Sequence, residues 1–184
     1  MISSSVFKQD TPDKILFLVQ REDMMKGRIK RGEGTLIANA GEYYVMAELL
    51  KRGIIAGLVP RNAPAFDILA SNGSKAVSIR VKTKSEDQKE WRWNAKEDGA
   101  IFKHLSKEGD FTVLVNLAEK RENLEFYIIP THLMDSWLKQ IFSEWLETPG
   151  RNNRPHSPQN TVRTIWKDFG KVIEYKDAWG NMWQ

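Results

Sequence analysis

Four residues have types and spacing that could do chemistry. Asp67, Arg80 and Lys82 fall in one short stretch, FDILASNGSKAVSIRVK, and Glu42 lies on a helical segment before it. In an extended chain alternate side chains share a face. Phe66, Ile68 and Ala70 then form one apolar face, and Val77, Ile79 and Val81 another. Asn72-Gly73 between the runs is a strong hairpin signal. An even-length turn pairs the two apolar faces and gathers Asp67, Ser78, Arg80 and Lys82 on the opposite side. A two-residue turn sets Asp67 opposite Ser78, and a four-residue turn (Asn72 to Lys75) sets it opposite Arg80. Such a cluster has two readings, a structural ion pair or a charged reaction site.

The elements that must position these residues can be read from period and punctuation. Residues 35–52 show apolar positions at Leu36, Ala40, Tyr43, Ala47 and Leu50, the stripe of an amphipathic helix, widened by Val45, Met46 and Leu49. Gly53 suits its end. Glu42 lies on the flank of the apolar face, where a carboxylate is partly desolvated. Strands are expected at 54–59, 65–71, 75–83, 111–117 and 124–129, with 91–94 extending or following the third. A short helix is expected at 95–107, and a longer one over 131–147 on Leu133, Trp137, Ile141 and Trp145. Residues 148–160 read as a loop, and the tail has no clean period. Ahead of the first long helix, Thr11-Pro12-Asp13 suits a helix start before KILFLVQREDMM, and Lys26 to Gly32 is the densest basic cluster. The expected division is a lead-in over 1–34, an α/β core over 35–147, and a loop with an aromatic-rich extension over 148–184. The order of elements predicts an α/β sandwich around a mixed sheet.

The bulk composition narrows the function classes. The chain has 184 residues with a formal charge of +4 and no cysteine. Disulfides, thiolate nucleophiles and cysteine metal sites are thereby excluded. No apolar run reaches the roughly 18 residues of a spanning helix, and the N-terminus does not read as a signal peptide. A cytoplasmic location is the default expectation. The mild basicity is compatible with nucleic acid. Trp91 and Trp93 lie in the charged segment KEWRWNAK, where one ring of the pair is expected to point outward and could stack on a base. The tryptophans of the last third supply core area or, in an assembly protein, a homodimer surface. His104, His132 and His156 have no ligand spacing, and no phosphate-binding glycine loop is present.

Asp67, then a dozen residues, then x-x-Lys on the next strand is similar to the PD-(D/E)XK nuclease superfamily, the restriction-endonuclease-like fold. GEYYVMAELLKRG, FDILAS, IRVKTKS and EFYIIP, in that order over about residues 35–130, resemble small bacterial proteins of this fold and archaeal Holliday-junction resolvases. The resemblance implies a three-layer sandwich with a central mixed sheet, acting on DNA sooner than RNA. It implies a magnesium (or manganese) ion held by Asp67 and Glu42, with the Val81 carbonyl able to face it and Lys82 as the catalytic lysine. Arg28, Lys30, Arg31, Arg80, Lys84 and Trp91 would contact substrate. One position departs from the pattern. Where the family places Glu, Asp or Gln, this chain has Arg80, which offers donors and no acceptor. An Arg80–Asp67 pair would occupy the carboxylate and weaken the attraction for a dication. The two functional readings are a metal-dependent endonuclease with an altered site and a catalytically inactive module for binding nucleic acid or protein.

Overall fold

The structure is a computed structural model that describes residues 34–60, 66–85, 88–102, 109–117 and 124–184. Its elements are α1 (Gly34–Lys51), β1 (Ile55–Leu58), β2 (Ile68–Ser71), β3 (Ala76–Ser85), β4 (Glu90–Asn94), β5 (Asp110–Leu117), β6 (Glu125–Pro130), α2 (Thr131–Glu147) and β7 (Val162–Trp166), followed by short 3-10 turns. Five strands form one sheet in the order β1-β2-β3-β5-β6, and β4 pairs with β7 in a second, two-stranded sheet. Among the described strands only β3 and β5 run parallel; the other neighbours are antiparallel.

Strand alternation splits the core in two. Ile68, Ala70, Val77, Ile79, Val113 and Ile128 face α1, where they pack on Val45 and Leu49. Leu114, Tyr127 and Ile129 face the other way, onto Met134, Trp137, Leu138 and Ile141 of α2 and onto Trp91 and Ile165. The architecture is the expected one, a mixed sheet layered between helices. The C-terminal stretch is woven into it. β7 completes the second sheet, while Trp179 and Met182 close the α1-side core. Most of the last-third tryptophan area is likewise buried or half-buried, with Trp166 the most open at 37%.

Several sequence expectations need correction. The stripe of α1 is not its buried face: Leu36, Tyr43 and Leu50 are each more than half exposed. The buried line is Gly41, Val45 and Leu49. The cause is close approach to β3, since a β-carbon on Gly41 would collide with the side chain of Thr83. Only glycine lets the helix sit that near the sheet. The α1 end is as expected: Gly53 has φ 76°, and the Gly53 and Ile54 N–H groups bond the Leu50 and Leu49 carbonyls. The expected helix at 95–107 is turn and irregular chain over its described part, 95–102. The helix start at Thr11 and the basic cluster with Arg28, Lys30 and Arg31 lie outside the described residues. No described helix is long and apolar enough to cross a membrane.

Candidate functional site

The hairpin register decides which side chains meet. Ser71 pairs with Ala76 and Ile68 with Ile79, so the turn is the four-residue one, and it brings Asp67 beside Ile79 and Arg80. Asn72 builds that turn. Its Oδ1 accepts from the Ser74 and Lys75 N–H groups, and Gly73 takes φ 93°.

Asp67 sits one residue before β2 and is fixed on three sides. Its N–H donates to the Ile79 carbonyl, and its own carbonyl accepts from Val59. Its Oδ2 accepts the Val81 N–H at 2.7 Å. The side chain thus replaces the next rung of the ladder just where β2 begins, while β3 runs on paired with β5. The Val81 N–H points away from β5, and in an extended strand the carbonyl of the same residue points to the same side. The Val81 oxygen therefore opens on the edge that Asp67 caps. Burial raises the Asp67 pKa above the ordinary carboxylate value, against the pull of the Val81 N–H, Arg80 and Lys82.

Glu42 comes to the same place from α1. It is half-buried and lines, with Asn39, Val59, Pro60, Phe66 and Asp67, a cleft of about 340 Å³. Lys82 lies on the neighbouring rim, where a second cleft of about 620 Å³ runs from Val81 and Lys82 to Glu90, Arg92 and Trp166. Gly34 and Ala38 of α1 border both clefts. Burial pulls the Lys82 ammonium below its ordinary pKa, with Asp67 the charge opposing that shift. Its Nζ stands 5.6 Å from the centre of the Trp93 ring.

Arg80 takes a different position from the expected simple pair with Asp67. Its guanidinium lies over Phe102, 5.4 Å from the ring centre. Burial lowers its pKa, and Asp110 opposes that shift more than Asp67 does. Asp110 in turn accepts the Ser78 hydroxyl hydrogen bond.

Two expected substrate contacts are core residues instead. Trp91 is fully buried, with its indole N–H donating to the Val115 carbonyl at 3.0 Å and its ring edge-on to Tyr127. It packs in the core on the α2 side, and the half-open ring of the pair is Trp93. Lys84 is 4% exposed; its Nζ donates to the Gln88 carbonyl at 2.6 Å and to Asn116 Oδ1 at 2.7 Å. Neither side chain can reach a ligand from there. Residues that sequence reading passed over, Arg92 and Trp166, line the larger cleft. The only local signal was that β4 is rich in charge and aromatic rings; its pairing with a strand seventy residues away was not visible.

No family model matches the sequence, and no curated protein does. Solved structures do match in fold. A bacterial homing endonuclease, I-Ssp6803I, is 16% identical with a TM-score of 0.45, over 83% of this chain and 92% of its own. The Holliday junction resolvase Hjc of Archaeoglobus fulgidus is 16% identical with a TM-score of 0.40, over 76% of this chain and 88% of its own.

The residues at the cleft can be tested for a magnesium ion on their own chemistry. Among the described residues no group of three or more His, Cys, Asp or Glu could hold a metal. Two carboxylates of one cleft, Glu42 and Asp67, are joined by the Val81 carbonyl edge. Magnesium is commonly bound through one or two carboxylates, with waters and substrate phosphate completing its shell. The donor set fits that mode and does not amount to an all-protein cage.

Proposed function

We propose that this protein cleaves phosphodiester bonds in DNA with a magnesium ion held by Glu42 and Asp67. The observation that carries the reading is the convergence of these two carboxylates, from α1 and from the β2 edge, on one cleft beside Lys82. Burial desolvates Asp67 and raises its pKa, so a bound cation would relieve a charge the fold holds at a cost. The ion would polarise the phosphate and activate water. The chain's own residues do the rest. Asp67 is locked in orientation by the Val81 N–H. Lys82, whose ammonium gives up its proton more readily at its lowered pKa, would orient the attacking water or offset the developing charge. Arg80, over the Phe102 ring with Asp110 and Asp67 as its opposing charges, adds positive field beside the cleft. With Arg80 and Lys82 nearby, the ion is held weakly until a phosphate adds its negative charge.

Incubation of labelled branched and linear DNA with millimolar magnesium, with EDTA controls, tests this. Cleavage that EDTA stops and Asp67→Asn abolishes is expected. A second reading, a non-cleaving module, is favoured by the cation Arg80, whose charge acts directly on Asp67. It predicts salt-dependent binding that EDTA leaves unchanged, with no product at any magnesium concentration. Arg80→Glu separates the two. Metal-dependent cleavage that appears only in this variant would establish the second reading and overturn the first.

A further inference from the structure

The large cleft continues past Lys82 along a wall the proposed reaction does not use. That wall is the β4–β7 pair. Glu90 stands opposite Trp166 in its register, so the two side chains share a face. Among the described residues, Lys82, Lys89 and Arg92 line the cleft with one carboxylate, Glu90, whose Oε1 accepts from Arg92 Nε at 2.7 Å. The surplus charge of these described residues is positive. Trp166 keeps 37% of its surface exposed there. On its far side Glu90 and Trp166 also border a second cleft, of about 260 Å³, lined by Phe142, Trp145 and Arg163 among others. There the Phe142 and Trp145 rings are stacked at 5.6 Å, and the Arg163 guanidinium lies 3.3 Å from the centre of the Phe142 ring. Trp166 is therefore a ridge between a cationic trough and an aromatic one.

We propose that this ridge binds an unpaired stretch of nucleic acid next to the phosphate at the Glu42–Asp67 cleft. The cations follow the backbone, and Trp166 stacks on a base. In a duplex both faces of each base are covered, so an aromatic ridge gains only from an unpaired strand. The proposal rests on the DNA reading above for what the neighbouring cleft does, but its binding step needs no metal.

The test is fluorescence anisotropy in EDTA, with the full chain, a labelled oligothymidylate and a labelled duplex of the same length. The single strand should bind more tightly than the duplex. Trp166→Ala should weaken single-strand binding about tenfold and leave duplex binding unchanged. Trp166→Phe, which keeps a ring, should restore most of the loss. Lys89→Glu with Arg92→Glu should weaken both ligands. Circular dichroism confirms folding of each variant. Equal affinity for the two ligands, or single-strand binding indifferent to Trp166→Ala, would overturn the proposal. Absence of cleavage with this binding pattern intact would sink the nuclease reading alone.

Discussion

Lys82 and Lys84 are two residues apart on the same face of β3 and meet opposite fates. Lys84 donates to two oxygens, and its network runs on through Asn116 Nδ2 to Glu125 Oε2 at 2.9 Å. Glu125 accepts Lys167 and Lys176 at 2.8 and 3.0 Å, and these bonds hold its carboxyl at about 2, far below its ordinary 4.5. Every charge there is matched. At the other end, Lys82 and Asp67 are both shifted by burial toward their neutral forms. One polar cluster lowers the energy of the fold and the other raises it. Unrelieved charge in a cleft is what a binding or catalytic site looks like before its ligand arrives.

The largest effect that could break this contrast is on turnover. Lys82→Met should cut magnesium-dependent cleavage by about 10²- to 10⁴-fold, with the melting temperature unchanged or raised. A large loss of stability would instead make Lys82 structural. Lys84→Met should do the reverse. It leaves the Gln88 carbonyl and Asn116 Oδ1 without their donor, at about 1–3 kcal/mol in denaturant melts. Cleavage per folded molecule should stay near the natural level.

The smallest effect is in acid. Because the folded pKa of Glu125 is depressed, its contribution is present above about pH 4.5 and is lost as pH falls toward 2. Glu125→Gln should therefore melt below the natural protein near neutrality, with the gap closing on acidification. A gap that widened in acid would mean the network does not depend on the ionised carboxylate.

How much of this was legible depended on the range of the interaction. The hairpin and its face pattern were readable because Asn72-Gly73 and strict alternation are local, although the choice between two turn lengths was not. The helix over Gly34–Lys51 was readable as an element. Its buried face was not, because apolar residues occur nearly all round it and the sheet selected the side carrying Gly41. The Trp91 indole is held by the Val115 carbonyl and the Lys84 ammonium by Asn116, both on β5. Such long-range pairings leave no period in the sequence. Glu42, Asp67 and Lys82 emerged as a set because strand alternation and helix flank both pointed to them. The environment of Arg80 did not, since Phe102 and Asp110 are distant in sequence.

Burial makes the ionised Asp67 carboxylate costly, and a cation would relieve that cost. The direct measurement is the melting temperature of Asp67→Asn against the natural protein across pH, without metal. The amide can still accept the Val81 N–H, but the desolvated charge is gone. Since the folded pKa is raised, the penalty is absent below the ordinary value of 3.8 and grows as pH rises through the folded one. The variant should melt higher than the natural protein at pH 7, with the difference vanishing in acid. A lower melting temperature at pH 7 would make Asp67 a structural partner of Arg80 and Lys82, and would contradict the account.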